Sequence, residues 1–523
     1  MKNRHLLGFD SPAKALLTAV KEGVDNALDA CEEAGVLPEI GVEIGAVRSG
    51  VYRVSVEDNG PGIVPDQIGR IFGKLLYGSK FHKLSQSRGQ QGMGIAAAGM
   101  YAQLTTGKPA RIVTRTGSRR RASQVLVSID TNRNRPELHG KKTVDWRVPH
   151  GTRVELTMEA QHRSGAHSVE MYLKLTAIAN PHVTLHYVDP DENVVTFERS
   201  SSRLPALPVE IKPHPHGVEL GRLIAMLRNT EHKSLGKFLK EEFSRVGTKT
   251  ASEIIERADQ GLTTRSYSRR VAKKQAGALY RAIQKTKISA PTSDCVVPIG
   301  EELMLQGLRK EVEAELYLAV CRPPAVYRGN PFVVEVGLAY GRPGGGHELD
   351  DSGRIVKLQS PRAGVEDLLS HAGEPVTLLR FANRVPLLFQ QGACVMTKAV
   401  VDTNWRSYGL NQPKGSLPQA AMVLMLHVAS VWVPFTSESK EAVAAYPEIE
   451  REMSLALREC GRRLRTHVKK QQRLARELER RTHIERYLPH VGMALQEILD
   501  IDDVRRDALV ERLDETLHHQ RKV

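Results

Sequence analysis

Three short polar motifs stand in a fixed order within the first hundred residues, and each demands a different local fold. The first lies on a helix. Ser11-Pro12 supplies a hydroxyl N-cap followed by proline at the first helical position. The pattern predicts a helix to about Glu33, with Gly35 as its stop. At about 100° per residue, Leu16, Val20, Val24, Ala27 and Cys31 form one apolar stripe, which faces a core. Lys14, Lys21, Asp25 and Glu32 fall on a side expected to face water. A third strip carries Ala15, Ala19, Glu22, Gly23, Asn26 and Ala30. Glu22 and Asn26 are four residues apart, so they project together among small neighbours. A carboxylate beside a carboxamide suits a water-activating base next to an oxygen ligand for magnesium. Taken alone, the pair describes an exposed polar strip equally well.

The second motif follows a strand in which Tyr52, Val54 and Val56 alternate with Arg53, Ser55 and Glu57. It ends in Asp58-Asn59-Gly60-Pro61-Gly62. An aspartate at a strand end can accept a hydrogen bond from an exocyclic amine, and the glycines let the backbone come close. A plain structural turn is the alternative. The third motif, Arg88-Gly89-Gln90-Gln91-Gly92-Met93-Gly94-Ile95, opens onto a helix expected from Ile95 to Ala102. Such a loop offers N–H groups to phosphates at a helix N-terminus. One glycine loop alone is weak; three motifs in this order are strong.

In this order and spacing the motifs resemble those of GHKL-type (Bergerat) ATPases. Glu22 and Asn26 match the family's first box, Asp58, Gly60 and Gly62 its second, and Gly89, Gly92 and Gly94 its lid. His150-Gly151-Thr152, leading into a strand, resembles the last box. Within the group, Phe9 to Ala13, Leu76-Tyr77-Gly78-Ser79-Lys80, Ser87 to Gly92 and His214 to Leu220 look like the B subunit of DNA topoisomerase VI, a type IIB enzyme. The similarity continues through Pro434 to Ala444 and Glu485 to Ile498, nearly the whole chain.

The resemblance implies an α+β multidomain chain. Residues 1–208 would form an α/β sandwich ATPase domain, with helices on one face of a mostly antiparallel sheet. Residues 209–288 would form a basic helix–two-turns–helix domain, and 289–523 an α/β transducer ending in a long stalk helix. It further implies ATP with Mg2+ as cofactors. Adenine would sit on Asp58 and Thr152, the metal on Asn26, and phosphates against Gly89, Gln90, Gln91, Gly92, Met93, Gly94 and Ile95. Tyr77, Gly78 and Ser79 are further candidates to contact ATP, Lys80, just before the lid, is a further phosphate candidate, and Glu22 would polarise water. Lys440, expected near a helix start, matches the family's switch lysine, which reaches the γ-phosphate; a solvated lysine is the alternative. The implied partners are double-stranded DNA, the DNA-cleaving A subunit and a second copy of this chain, joined as an A2B2 heterotetramer. No DNA-cleaving tyrosine is expected among the 13 present.

The remaining sequence fits this reading. Residues 211–287 hold 17 Lys and Arg against 7 Asp and Glu, much of the excess behind a net charge of +15. Basic helices of this kind suit a polyanion, and sparse aromatics favour duplex backbone over stacked single strands. Their apolar positions include Leu220, Leu223, Ile224, Leu227, Leu235, Phe238, Leu239 and Phe243. His214 and His216 read as packing residues, and Arg119-Arg120-Arg121 as a hairpin tip. The apolar run from Ala420 to Val433 is too short to span a bilayer and reads as a buried strand. From Glu448 to Tyr487, Leu457, Cys460, Leu464, Val468, Leu474 and Leu478 mark one long amphipathic helix. The part near Leu495 to Leu513 would hold the A subunit. Five scattered cysteines suggest neither disulfides nor zinc, and no apolar leader is present, so a cytoplasmic, nucleoid-associated protein without membrane contact is expected. With two residues ahead of Asn3, a short inter-subunit strap is expected, and no extra C-terminal domain. The competing readings are a MutL-like repair clamp, against which the basic insert argues, and a non-catalytic scaffold, against which Glu22, Asn26, Asp58 and the lid glycines argue.

Overall fold

Helix α1 (Pro12–Glu33) begins where its cap predicts, with the Ser11 hydroxyl accepting from the Lys14 N–H at 3.4 Å. The computed structural model describes residues 8–74, 84–89, 92–130, 133–342, 347–349, 355–357, 368–371, 373–437 and 439–519. After α1 come β1 (Glu39–Arg48), β2 (Val51–Asp58), α2 (Pro65–Gly73), α3 (Gly94–Thr106), β3 (Ala110–Arg115), β4 (Ala122–Asp130), β5 (Arg135–Val144), β6 (Gly151–Glu159), α4 (Val169–Ala179), β7 (Thr184–Val188) and β8 (Val194–Phe197). They form an eight-stranded sheet ordered β5-β4-β3-β6-β2-β1-β7-β8, antiparallel except where β1 meets β7. The register aligns Val42, Val56, Val154, Ile112 and Val125 on one face, where they pack with Leu16, Val20 and Val24 of α1. The other face is charged: Arg153 bridges Glu43 and Glu57 at 3.2 and 3.4 Å, and Arg111 meets Glu155 at 3.2 Å. One dry face and one wet face give the sandwich its single helical layer. Helix α3 runs a turn beyond the Ala102 end read from sequence.

Four helices follow: α5 (Leu220–Asn229), α6 (Leu235–Glu242), α7 (Thr248–Ala258) and α8 (Lys273–Lys285). They enclose a small core of Leu223, Leu227, Leu235, Phe238, Leu239, Phe243, Ile254 and Leu279. His214 and His216 close the entry to this unit. Nε2 of His214 donates to the Ser289 carbonyl at 3.1 Å, and Nε2 of His216 to the carbonyls of Ile283 and Thr286 at 3.1 and 3.0 Å. Both act in packing, as their sequence context indicates.

The last part comprises α9 (Glu301–Glu311), β9 (Leu316–Cys321), β10 (Ala325–Tyr327), β11 (Asn330–Tyr340), β12 (His347–Leu349), β13 (Ile355–Lys357), β14 (Thr377–Ala382), β15 (Val385–Pro386), α10 (Val395–Asp402), β16 (Met422–Ser430), α11 (Pro447–Leu499) and α12 (Asp503–His519). Strand β16 is buried along its whole length between β11 and β14. Met422, Leu424, Leu426 and Val428 face α10 and α11 on one side. Val423 and Met425 meet α9 and the Leu175–Ile178 surface of α4 on the other. Covering both faces explains the unbroken apolar run, and it joins this sheet to the helical layer of the eight-stranded sheet through α4. No helix among the described residues is long and apolar enough to cross a membrane.

Candidate active site

A cavity of about 460 Å³ opens between α1, the end of β2, the start of α3 and a loop following β16. Its wall includes Glu22, Asn26, Asp58, Gly62, Gly89, Gly92, Met93, Gly94, Ile95, Thr152 and Lys440. Gly60 is not in the wall; its N–H donates to Asp58 Oδ1 at 2.8 Å and so holds the carboxylate in place. Tyr77, Gly78, Ser79, Lys80, Gln90 and Gln91 lie outside the described residues.

The strand-end turn is stitched to its neighbours. Asp58 Oδ1 also accepts from the Thr152 N–H at 3.2 Å, because β6 pairs Thr152 with Asp58 in register. The Ile63 N–H donates to Thr114 Oγ1 at 2.7 Å, and His150 Nδ1 donates to the Gly60 carbonyl at 2.9 Å. Gly62 has φ +71°, and a Cβ there would stand 2.1 Å from the Arg115 carbonyl, so glycine is required. Burial pushes the Asp58 carboxyl up to about 6, against the two backbone N–H bonds that favour its charged form. Both bonds fall on Oδ1. Oδ2 has no hydrogen-bond partner among the described residues and remains for a ligand.

Glu22 and the glycine loop touch directly: a Cβ on Gly94 would sit 1.7 Å from Glu22 Oε2. Asn26 is exposed to the cavity, and the site of a Gly89 Cβ lies 3.8 Å from its Oδ1. A carboxamide oxygen without a partner among the described residues suits one inner ligand of magnesium, which otherwise keeps waters and phosphate oxygens rather than a protein cage. Among the described residues no group of three His, Cys, Asp or Glu side chains is placed to hold a metal ion.

Two sequence expectations need correction. Lys440 is not near a helix start: α11 begins at Pro447. Lys440 instead occupies a left-handed turn (φ +53°), closed by Thr436 N–H to the Ala442 carbonyl and Lys440 N–H to the Ser437 carbonyl at 2.9 and 3.1 Å. Its ammonium donates to the Arg88 carbonyl at 3.1 Å, and neighbouring Glu441 forms an ion pair with Lys14 of α1. The supposed water-facing side of α1 is likewise covered. Asp25 is buried and accepts from the Tyr172 hydroxyl at 3.1 Å. Burial pushes the Asp25 carboxyl up to about 6, with Lys21 opposing, and pushes the Lys21 ammonium down. Glu32 binds Arg88 and His182. The physical reason is that α4 and the Lys440 loop pack where the helix pattern alone leaves solvent.

Arg88 opens the glycine motif, yet the motif pattern gives it no role of its own. Its guanidinium is buried and donates to Asp29, Glu32 and Asn180. Against the upward push of burial, Arg88 and His182 hold the Glu32 carboxyl well below the usual range. The one signal in the sequence is its position immediately before Gly89, since its partners lie 56 to 92 residues away.

Residues 12–162 match the family described as histidine kinase-, DNA gyrase B-, and HSP90-like ATPase, and residues 291–480 that described as topoisomerase VI B subunit, transducer. Fold and site thus define an ATPase of the GHKL class. The chain is 45% identical over 523 residues to the B subunit of type 2 DNA topoisomerase 6 of Archaeoglobus fulgidus, covering 100% of this chain and 82% of that one. It is 47% identical over 502 residues to the protein of that name from Methanococcoides burtonii, covering 96% and 76%. Within the class, it belongs to the family of type 2 DNA topoisomerase 6 B subunits. A solved B-subunit of DNA gyrase from Myxococcus xanthus is similar at 11% identity and TM-score 0.40, over 88% of this chain and 93% of that one.

Proposed function

We propose that this chain is the ATP-operated gate of a type IIB topoisomerase, and that Glu22, Asn26, Asp58 and Lys440 operate it. The observation that carries the reading is their convergence on one cavity, with Lys440 brought in from 352 residues beyond the lid residue it bonds. Asp58 Oδ2 accepts the adenine amine while Thr152 fixes the carboxylate. The lid backbone from Gly89 to Ile95 receives the phosphates, and Asn26 offers an oxygen to Mg2+, which neutralises phosphate charge. Glu22 orients the attacking water and draws its proton. Lys440 meets the γ-phosphate and reports its loss on hydrolysis to the third domain.

Two copies close on binding ATP and capture a duplex, which passes through a double-strand break made by the A subunit in an A2B2 assembly. Residues 209–288 form the domain that touches duplex backbone, between the ATPase part at 1–208 and the transducer at 289–523, and the complex works at the nucleoid. The test is relaxation of supercoiled plasmid by this chain with its A subunit, with ATP, without ATP, and with Glu22→Ala. Relaxation should need ATP and both chains. The variant should bind ATP but turn over about 10²–10⁴-fold more slowly. Hydrolysis with no relaxation in any mixture would instead favour a repair clamp.

A further inference from the structure

The three residues leading into the glycine loop are gripped from two sides. On the third-domain side, Gln86 Nε2 donates to the Val297 carbonyl at 3.1 Å and its Oε1 accepts from the Val297 N–H at 2.7 Å. Asn383 Nδ2 donates to the Ser87 carbonyl at 3.0 Å, and Lys440 Nζ to the Arg88 carbonyl at 3.1 Å. On the first-domain side, the guanidinium of Arg88, a residue 6% exposed, donates to Asp29 Oδ1 at 2.8 Å, to the two oxygens of Glu32 at 2.8 and 2.7 Å, and to Asn180 Oδ1 at 2.6 Å. Asp29 and Glu32 lie on α1, the helix that carries Glu22 and Asn26.

An ammonium has three protons to place. Among the described residues, the Arg88 carbonyl is the only hydrogen-bond acceptor that the Lys440 ammonium finds. The position of this lysine at the cavity is therefore set by the main chain at Arg88, and that main chain is set by the Arg88 side chain. We propose that Arg88 is the positioning residue for Lys440: its clamp on Asp29, Glu32 and Asn180 ties the helix of Glu22 and Asn26 to the carbonyl that holds the lysine. A planar fork of five donors satisfies two carboxylates and a carboxamide at once; a lysine cannot. The clamp thereby keeps the lysine of one domain in register with the water-orienting carboxylate of another. The proposal rests on the reading of Lys440 as a phosphate contact.

The test is ATP turnover by the full chain with its A subunit and duplex DNA, for wild type, Lys440→Ala, Arg88→Lys and the double variant, with thermal melts alongside. Losing one preorganised cation should slow Lys440→Ala by about 10²-fold. Arg88→Lys should lower kcat by about tenfold or more while KM for ATP stays within about threefold, the mark of an interaction made in the transition state. The double variant should be no slower than Lys440→Ala, because both changes remove one device. If Arg88→Lys melts out, the charge-compensated R88Q/E32Q, alone and with Lys440→Ala, carries the same comparison. Arg88 variants that fold and turn over at the wild-type rate would overturn the proposal, as would rate losses that multiply in the double variant. Wild-type turnover by Lys440→Ala would remove the phosphate role of that lysine, and the role of Arg88 with it.

Discussion

At Asp58 one carboxylate oxygen serves the fold, accepting the N–H groups of Gly60 and Thr152, while the other is the one the proposed reading gives to the ligand. Burial has raised this carboxyl to about 6, so its charge changes within reach of ordinary buffers. An amine donor favours the ionised form. ATP affinity should therefore be full above about pH 7 and fall as the pH drops through 6, read by calorimetry across that range. Asp58→Asn should abolish both the pH dependence and the preference for adenine, a preference that can approach about 10⁴-fold when a buried acceptor is left unsatisfied. For the protein alone the linkage runs the other way. The folded chain holds the Asp58 proton more tightly than the unfolded chain does, so its contribution to stability weakens as pH rises from 3.8 through about 6. Glu22, Asn26 and Asp58 are legible from sequence because each sits in a short local pattern. Arg88 is not, because what gives it meaning is a set of acceptors contributed by α1 and by Asn180 at the end of α4.

Among the elements, the turn after β2 and the turn that ends α1 depend on glycine for different reasons. Gly62→Ala meets both a left-handed φ and a carbonyl 2.1 Å away, whereas Gly35→Ala, at φ +69°, meets nothing within 4 Å. The second should cost about 1 kcal/mol from conformation alone. The first should cost several kcal/mol more or displace the turn, and should also weaken ATP binding; paired melting curves and calorimetry separate the two. Helix α1 is readable to its last residue because cap, stripe and stop agree. The Lys440 loop misleads because Ser437 to Glu441 looks like a helix onset. The bridge between Phe435 and Val443 and the Glu441–Lys14 pair overrule that local preference. Strand β16 announces its burial in its own composition, but its two coverings come from distant helices and cannot be read from it.

For the whole molecule, the surplus of positive charge on α5 to α8 gives a salt test. Lys273 and Lys274 are both exposed at the start of α8. Replacing both with alanine should lower the slope of log K for duplex DNA against log salt by up to about 1.8, at roughly 0.9 per phosphate contact. ATP turnover without DNA should not change; an unchanged slope would take this helix out of the DNA contact. The sheet around β16, joined to α4 on one side, holds the root of α11 on the other through Met453, Ala456, Leu457, Cys460 and Leu464. That helix runs for 53 residues. Beyond Val468, the last of its residues in that core, 31 residues at about 1.5 Å each make a lever roughly 45 Å long, so a tilt of about 5° there sweeps the tip by about 4 Å. A change at the cavity too small to alter any strand pairing can therefore move whatever is fastened to the far end by most of a turn of helix.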